Sequence, residues 1–174
     1  ACGSGNFLVE ILRRRMAHLN QKYKSSLLQY QPATVQAVCG LYGIELLADN
    51  AAECRERLSA TFSQNYLPPF QAAEDYPRVL DTVRRVLAKN IVCGNALDYR
   101  TSDGLPIMMT QWQFIDRQRV KAKWFELQTT VETTGGQLGS QHDLFGDNGE
   151  PARIVSHNKE FPPIHYLDIG HENA

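Results

Sequence analysis

The chain has 174 residues, 43% hydrophobic and 21% charged, with a formal net charge of −1, which suits one globular domain with a sizeable core. It lacks the strongly basic balance of many nucleic-acid binders, and no apolar run reaches the ~20 residues of a membrane span. Its four cysteines, Cys2, Cys39, Cys54 and Cys93, form no Cys-x-x-Cys pair, which argues against a zinc site or disulfide framework and for a reducing cytoplasm.

The chain opens on Ala1-Cys2-Gly3-Ser4-Gly5-Asn6-Phe7. A glycine loop of this kind ordinarily follows a strand, so a strand is expected upstream of it. From Asn6 to about Leu19, Phe7, Leu8, Ile11, Leu12 and Leu19 recur at helical steps, with Arg13, Arg14 and Arg15 starting the polar face. Residues 20–32 read as a loop, and Pro32 suits the first turn of a short helix to Cys39, ended by Gly40. Leu41 to Leu47 is a short apolar run of the kind found in buried parallel strands. Asp49 or Asn50 then caps a helix to about Gln64, with Ala51, Cys54, Leu58 and Phe62 on one stripe.

Pro68-Pro69 breaks the chain. A second amphipathic helix is expected from Pro77 to Ala88, and Asn90 to Gly94 reads as a strand. Asp103-Gly104 marks a turn, and Pro106 to Thr110 is a third strand candidate. Residues 117–131 read as a helix whose Arg117, Arg119, Lys121 and Lys123, with Trp124 and Phe125, could face DNA. From Gly135 the composition turns to Gly, Asp, Asn, Pro and Ser, and that tail is left unplaced. The expected division is thus 1–134 as one domain, partial at its start, and 135–174 as an irregular segment. Alternating strands and helices argue for an α/β fold with a parallel sheet and helices on its faces. In such sheets a ligand sits beyond the carboxyl ends of the strands.

Three segments fall at such ends. Gly3 and Gly5 bracket Ser4 just before a helix, so the backbone can approach a ligand and present free N–H groups to it. The plain alternative is an ordinary turn. Glu45 ends its strand, where a carboxylate can accept both hydroxyls of a ribose; the alternative is a surface acid near the next helix. After the following strand, Gly94-Asn95-Ala96-Leu97 offers a polar group for an adenine amine and an apolar slot for its ring. Gly-Asn also favours a simple turn. In this order the three together describe one nucleoside site.

Ala1-Cys2-Gly3-Ser4-Gly5-Asn6-Phe7-Leu8 resembles the first motif of adenine-N6 DNA methyltransferases of restriction–modification systems. Tyr42-Gly43-Ile44-Glu45 is similar to their second motif, and Ile91-Val92-Cys93-Gly94-Asn95-Ala96-Leu97 to their third, where Asp is commoner than Asn95. The resemblance covers roughly residues 1–112. It implies a Rossmann-like methyltransferase sheet lacking its first strand in this chain, and S-adenosylmethionine as cofactor. The cofactor would be held by Ala1, Cys2, Gly3, Ser4, Gly5, Asn6, Phe7, Glu45, Leu46, Asn95, Ala96 and Leu97. It also implies methyl transfer to an adenine flipped out of DNA, with a restriction or specificity subunit as a candidate partner and no membrane or metal.

The family's methyl-transfer motif, Asn/Asp-Pro-Pro-Tyr/Phe, is missing. Thr110-Gln111-Trp112-Gln113 follows the third strand candidate instead, so Gln111 as an acceptor for the amine and Trp112 as a stacking ring are the catalytic candidates. Leu67-Pro68-Pro69-Phe70 and Phe161-Pro162-Pro163-Ile164 have the wrong flanks and are set aside. An alternative reading is a catalytically inactive partner domain that keeps the cofactor pocket. A nicotinamide-dependent oxidoreductase is disfavoured, because Leu8 stands where that fingerprint needs Gly or Ala.

Overall fold

A computed structural model describes residues 1–129 and 152–170 of the chain. Among them the fold is mixed α/β, with five helices and two sheets. Helices α1 (Asn6–Lys22) and α2 (Leu27–Cys39) lead into strand β1 (Gly43–Glu45). Helix α3 (Ala48–Asn65), the single turn α4 (Pro68–Gln71) and α5 (Tyr76–Asn90) then return the chain to β2 (Ile91–Cys93). Strands β1 and β2 pair in parallel, Gly43 opposite Ile91 and Glu45 opposite Cys93.

The second sheet is antiparallel. It contains β3 (Met108–Phe114), β4 (Arg119–Thr129) and β5 (Ala152–Glu160), and the short β6 (Ile164–His165) pairs with the start of β4. A 3-10 turn, Tyr166–Asp168, follows. The third strand candidate therefore does not extend the parallel sheet. The expected helix over 117–131 is also corrected to a strand. Val120 and Ala122 are buried while Arg119 is exposed and Lys121 and Lys123 lie half-buried between them, so the period is two and not 3.6.

The core explains the helices. Val9, Leu12 and Met16 of α1 recur at three and four residues and are buried with Tyr30, Val35 and Val38 of α2. Cys54, Leu58 and Phe62 of α3 and Val79, Val83, Val86 and Leu87 of α5 complete the same cluster. The buried face of α1 is thus rotated from the expected one, and Phe7 is 77% exposed. Helix α2 begins five residues before Pro32, which lies inside it. Proline cannot donate to Leu28 O, but its ring is buried, so packing retains a residue that local propensity disfavours. The described end of the chain belongs to this core as well: Tyr166, Leu167 and Ile169 are buried in the cluster. Residues 135–151 and 171–174 of the unplaced tail, with His142 and His171, lie outside the described residues.

Asn90 joins the two sheets. It is fully buried at the end of α5, and its side-chain amide donates to Cys39 O at 3.2 Å and Leu41 O at 3.0 Å. Its Oδ1 accepts the indole N–H of Trp112 at 2.9 Å. One side chain therefore ties the approach to β1, the start of β2 and the middle of β3. Nearby, the Tyr42 hydroxyl donates to Thr110 O at 2.9 Å.

Candidate functional site

The carboxyl ends of β1 and β2 meet the amino-terminal glycine loop. Gly94 N–H donates to Glu45 O at 2.8 Å, and Cys2 N–H donates to Ile44 O at 2.9 Å. Successive carbonyls of a strand point to opposite edges, so the Ala1–Cys2 segment lies along the β1 edge away from β2. The chain then turns over the end of β1, with Gly3 at φ +54° and Gly5 at φ +83°, left-handed conformations that glycine adopts without strain.

The two glycines have different reasons. A Cβ on Gly5 would stand 2.5 Å from Cys54 Sγ on α3, so the loop's closest approach to the helix needs a hydrogen there. A Cβ on Gly3 would meet nothing within 4 Å. Gly3 faces open space at the carboxyl end of the strands, where a ligand has access to the backbone. Gly5 is also the cap of α1 and has no side chain with which to satisfy its first-turn N–H groups, a position that suits an anionic or polar ligand atom.

Glu45 points into this loop. Its Oε2 accepts Gly3 N–H at 2.7 Å, and its Oε1 accepts Leu47 N–H at 3.3 Å and the Asn50 side-chain amide at 3.5 Å. The residue is 5% exposed. Burial alone pushes the carboxyl pKa up; the hydrogen bonds from Gly3, Leu47 and Asn50 outweigh it and hold the pKa below the ordinary value. Glu45 is therefore a charged acceptor at neutral pH. The expected convergence of the carboxylate on the glycine turn is present.

The segments that leave this end of the sheet carry apolar side chains facing water: Phe7 after the loop, Leu46 and Leu47 after Glu45, and Leu97 after β2, the last 85% exposed. Exposed apolar residues gathered at one end of a sheet are more informative than single ones scattered over a surface. Asn95 is at this end too, but its Oδ1 accepts Leu97 N–H at 3.0 Å, and its own N–H donates to Arg100 O at 2.8 Å. Its side chain closes a turn, with Ala96 half-buried inside it. Gly94 lets this hairpin sit down on the sheet, since a Cβ there would be 2.5 Å from Ile107 Cδ1.

Gln111 and Trp112 are not brought to this end. Strand β3 runs back along the molecule, and Trp112 packs against the core with its N–H on Asn90. Asn90 precedes β2 and Asn95 follows it, a separation of roughly 15 Å along near-extended chain. Gln111 is exposed, opposite Lys123 on β4. The basic run is largely engaged: Arg119 pairs with Asp116 at 2.7 Å, and Lys121 and Lys123 both reach Glu160. On α1, Arg13 and Arg14 pair with Glu10, and Arg15 donates to Ala37 O.

The helix beneath the loop, α3, is the one expected from Asp49 or Asn50 to about Gln64, but sequence reasoning missed that its side chains hold the loop and Glu45. Asn50, Cys54 and Arg57 follow at steps of four and three residues, one stripe of α3. Asn50 holds Glu45; the Cys54 thiol lies under Gly5; Arg57 holds Ser4 and Asn6. Burial raises the pKa of both thiols, that of Cys54 to about 12, so both remain protonated and unreactive at neutral pH. The one available signal was that a polar Asn and an Arg adjoin the apolar stripe of this helix.

Two grooves lie elsewhere, one of about 670 Å³ between α3 and α5 and one of about 330 Å³ beside Tyr23 and Phe114. Neither is lined by Glu45, Gly3 or Asn95, so size alone does not select the site. Among the described residues no group of His, Cys, Asp or Glu could hold a metal ion, and no helix is long and apolar enough to cross a membrane. Compared with protein-family models, curated proteins and solved structures, the chain matches none of them.

Proposed function

We propose that the chain is the S-adenosylmethionine-binding portion of an adenine-N6 DNA methyltransferase, built on a Rossmann-like sheet. The observation that carries this reading is the 2.7 Å bond from Gly3 N–H to the Glu45 carboxylate, beside an open space over Gly3. A charged acid at the end of one strand and a glycine turn at its flank suit the ribose hydroxyls and the amino-acid end of a nucleoside cofactor. The residues fit that group. Glu45 would take the ribose hydroxyls in place of Gly3 N–H, and the loop amides would meet the amino-acid end. Leu46 and Leu97 would bracket the base, with Phe7 closing one side.

The cofactor itself supplies an electrophilic methyl group on a sulfonium. What the protein must add is alignment of an adenine amine with that methyl. Gln111 and Trp112 are too far along β3 to do this for a ligand at Glu45. A second reading, a binding or partner domain that holds the cofactor without transferring methyl, draws support from that distance and from the missing Asn-Pro-Pro-Tyr/Phe motif.

Titration calorimetry with S-adenosylmethionine tests the shared claim. Wild-type protein should bind, and Glu45→Gln should bind about tenfold or more weakly, since a hydrogen bond to a charged group is worth roughly 1.5–3 kcal/mol. No binding by the wild type removes both readings. Radioactive methyl transfer to adenine-containing DNA then separates them, being present under the first and absent under the second.

A further inference from the structure

The glycine loop has two flexible residues flanking Ser4, and left alone it would sample many conformations. In the folded chain it is held from below by Arg57 of α3. One nitrogen of the guanidinium, Nη1, donates to Ser4 O at 2.8 Å and to Ser4 Oγ at 2.9 Å; the other, Nη2, donates to Asn6 Oδ1 at 2.7 Å. The contacts span the turn from its tip to the first residue of α1. They join positions more than fifty residues apart in the sequence, so nothing local in the loop reproduces them.

We infer that Arg57 is a positioning residue for the candidate cofactor loop, fixing the backbone between Gly3 and Asn6 in the shape that presents its amides. This rests on the cofactor reading given above for its functional consequence. The physical reason lies in the fork of the guanidinium. A planar group with donors in fixed directions can hold a carbonyl, a hydroxyl and an amide oxygen together, whereas an ammonium on a flexible stem is a point charge without that geometry. Charge-assisted bonds of this kind are stronger than neutral ones. Fixing the loop before the ligand arrives removes an ordering cost from binding.

Arg57 also has company that makes the role specific. Cys54, one turn earlier on the same stripe, fits under Gly5, and Asn50, one further turn back, steadies Glu45. The loop and the carboxylate are thus referenced to one rigid helix, and Arg57 supplies the contact to the part of the loop that Glu45 does not reach.

The test compares wild type, Arg57→Ala and Arg57→Lys in the full chain by three measurements. Backbone amide exchange at Gly3 and Gly5 should accelerate about tenfold or more in Arg57→Ala, with Arg57→Lys intermediate, while the buried amides of α5 keep their protection. Affinity for S-adenosylmethionine should fall by a similar factor in Arg57→Ala. Millimolar methylguanidinium should restore part of both losses in Arg57→Ala and do nothing to wild type, a rescue that a bulk structural role does not produce. Unchanged exchange at Gly3 and Gly5 in Arg57→Ala overturns the inference. So does a fall in protection throughout the molecule with a matching drop in the urea midpoint, which would make Arg57 an ordinary stabilising contact. If wild type fails to bind S-adenosylmethionine, the cofactor reading falls, and the exchange comparison still decides whether Arg57 holds the loop.

Discussion

Gly3 and Gly5 share a left-handed backbone but not a purpose, and substitution separates them. Gly3→Ala meets open space, so its cost is the conformational one, about 1 kcal/mol, and the protein should still fold, with a urea midpoint lowered by about half a molar. Its new methyl group would nonetheless stand where the ligand is expected, so affinity for S-adenosylmethionine should fall more than stability does. Gly5→Ala adds to the same backbone cost a collision with Cys54 Sγ on a fully buried residue, and overpacking of this kind costs about 1–3 kcal/mol. Pairing it with Cys54→Ala should recover part of that loss in urea unfolding, and a purely additive double mutant would count against the contact.

At the level of elements, the two faces of β4 differ by burial alone, and mutation should read the alternation out. Val120→Ala removes buried methyls and should destabilise by about 1–2 kcal/mol, whereas Lys121→Ala and Lys123→Ala should each cost less, about 1 kcal/mol at most, because their ion pairs with Glu160 remain open to solvent. Equal costs at all three positions would contradict a strand here. The alternation was visible in the residues: cations on every second position fall on opposite sides of a helix but on one face of a strand, so the period of two was the signal that the helix reading passed over. α3 and α5 were legible because their apolar stripes are long and regular. The early start of α2 was not, since the rule that places Pro32 in a first turn is overridden by the burial of Tyr30, Pro32 and Val35 against the core. Within the site, the glycine loop and Glu45 were legible from their order along the chain. Arg57 was not, because its partners are fixed only when α3 lies beneath the loop. Placing Gln111 and Trp112 in the site failed for a related reason: the third strand candidate was given the direction of a parallel strand, and β3 runs the other way.

For the molecule as a whole, acid should act through carboxylates that the fold holds in the charged form. Glu45 has a folded pKa below its ordinary value of 4.5. Its contribution is therefore complete above about pH 4.5 and is lost as the pH falls through the folded value. Thermal midpoints between pH 7 and pH 3 should decline on the acid side, and Glu45→Gln should flatten that decline while lowering the neutral midpoint. Asp116, held at about 2 chiefly by Arg119, is exposed, so its part in the decline should shrink in high salt while that of Glu45 persists. Asn90→Ala should be more severe than any of these changes. It leaves two buried carbonyls without this donor and the indole N–H of half-buried Trp112 without its acceptor, and a loss of about 3 kcal/mol in urea unfolding is expected.

The bond between Trp112 and Asn90 also gives the protein a built-in gauge. The Trp112 indole proton, on a half-buried ring, is held by a fully buried acceptor and exchanges readily only when that bond opens, so in deuterated buffer its resonance should outlast those of the unbonded surface amides. Its lifetime then tracks opening of the junction between the sheets. A ligand seated at the far end of the parallel strands and released when the junction opens should lengthen that lifetime by a factor of one plus the ratio of free ligand concentration to Kd, without any label or substitution in the site itself.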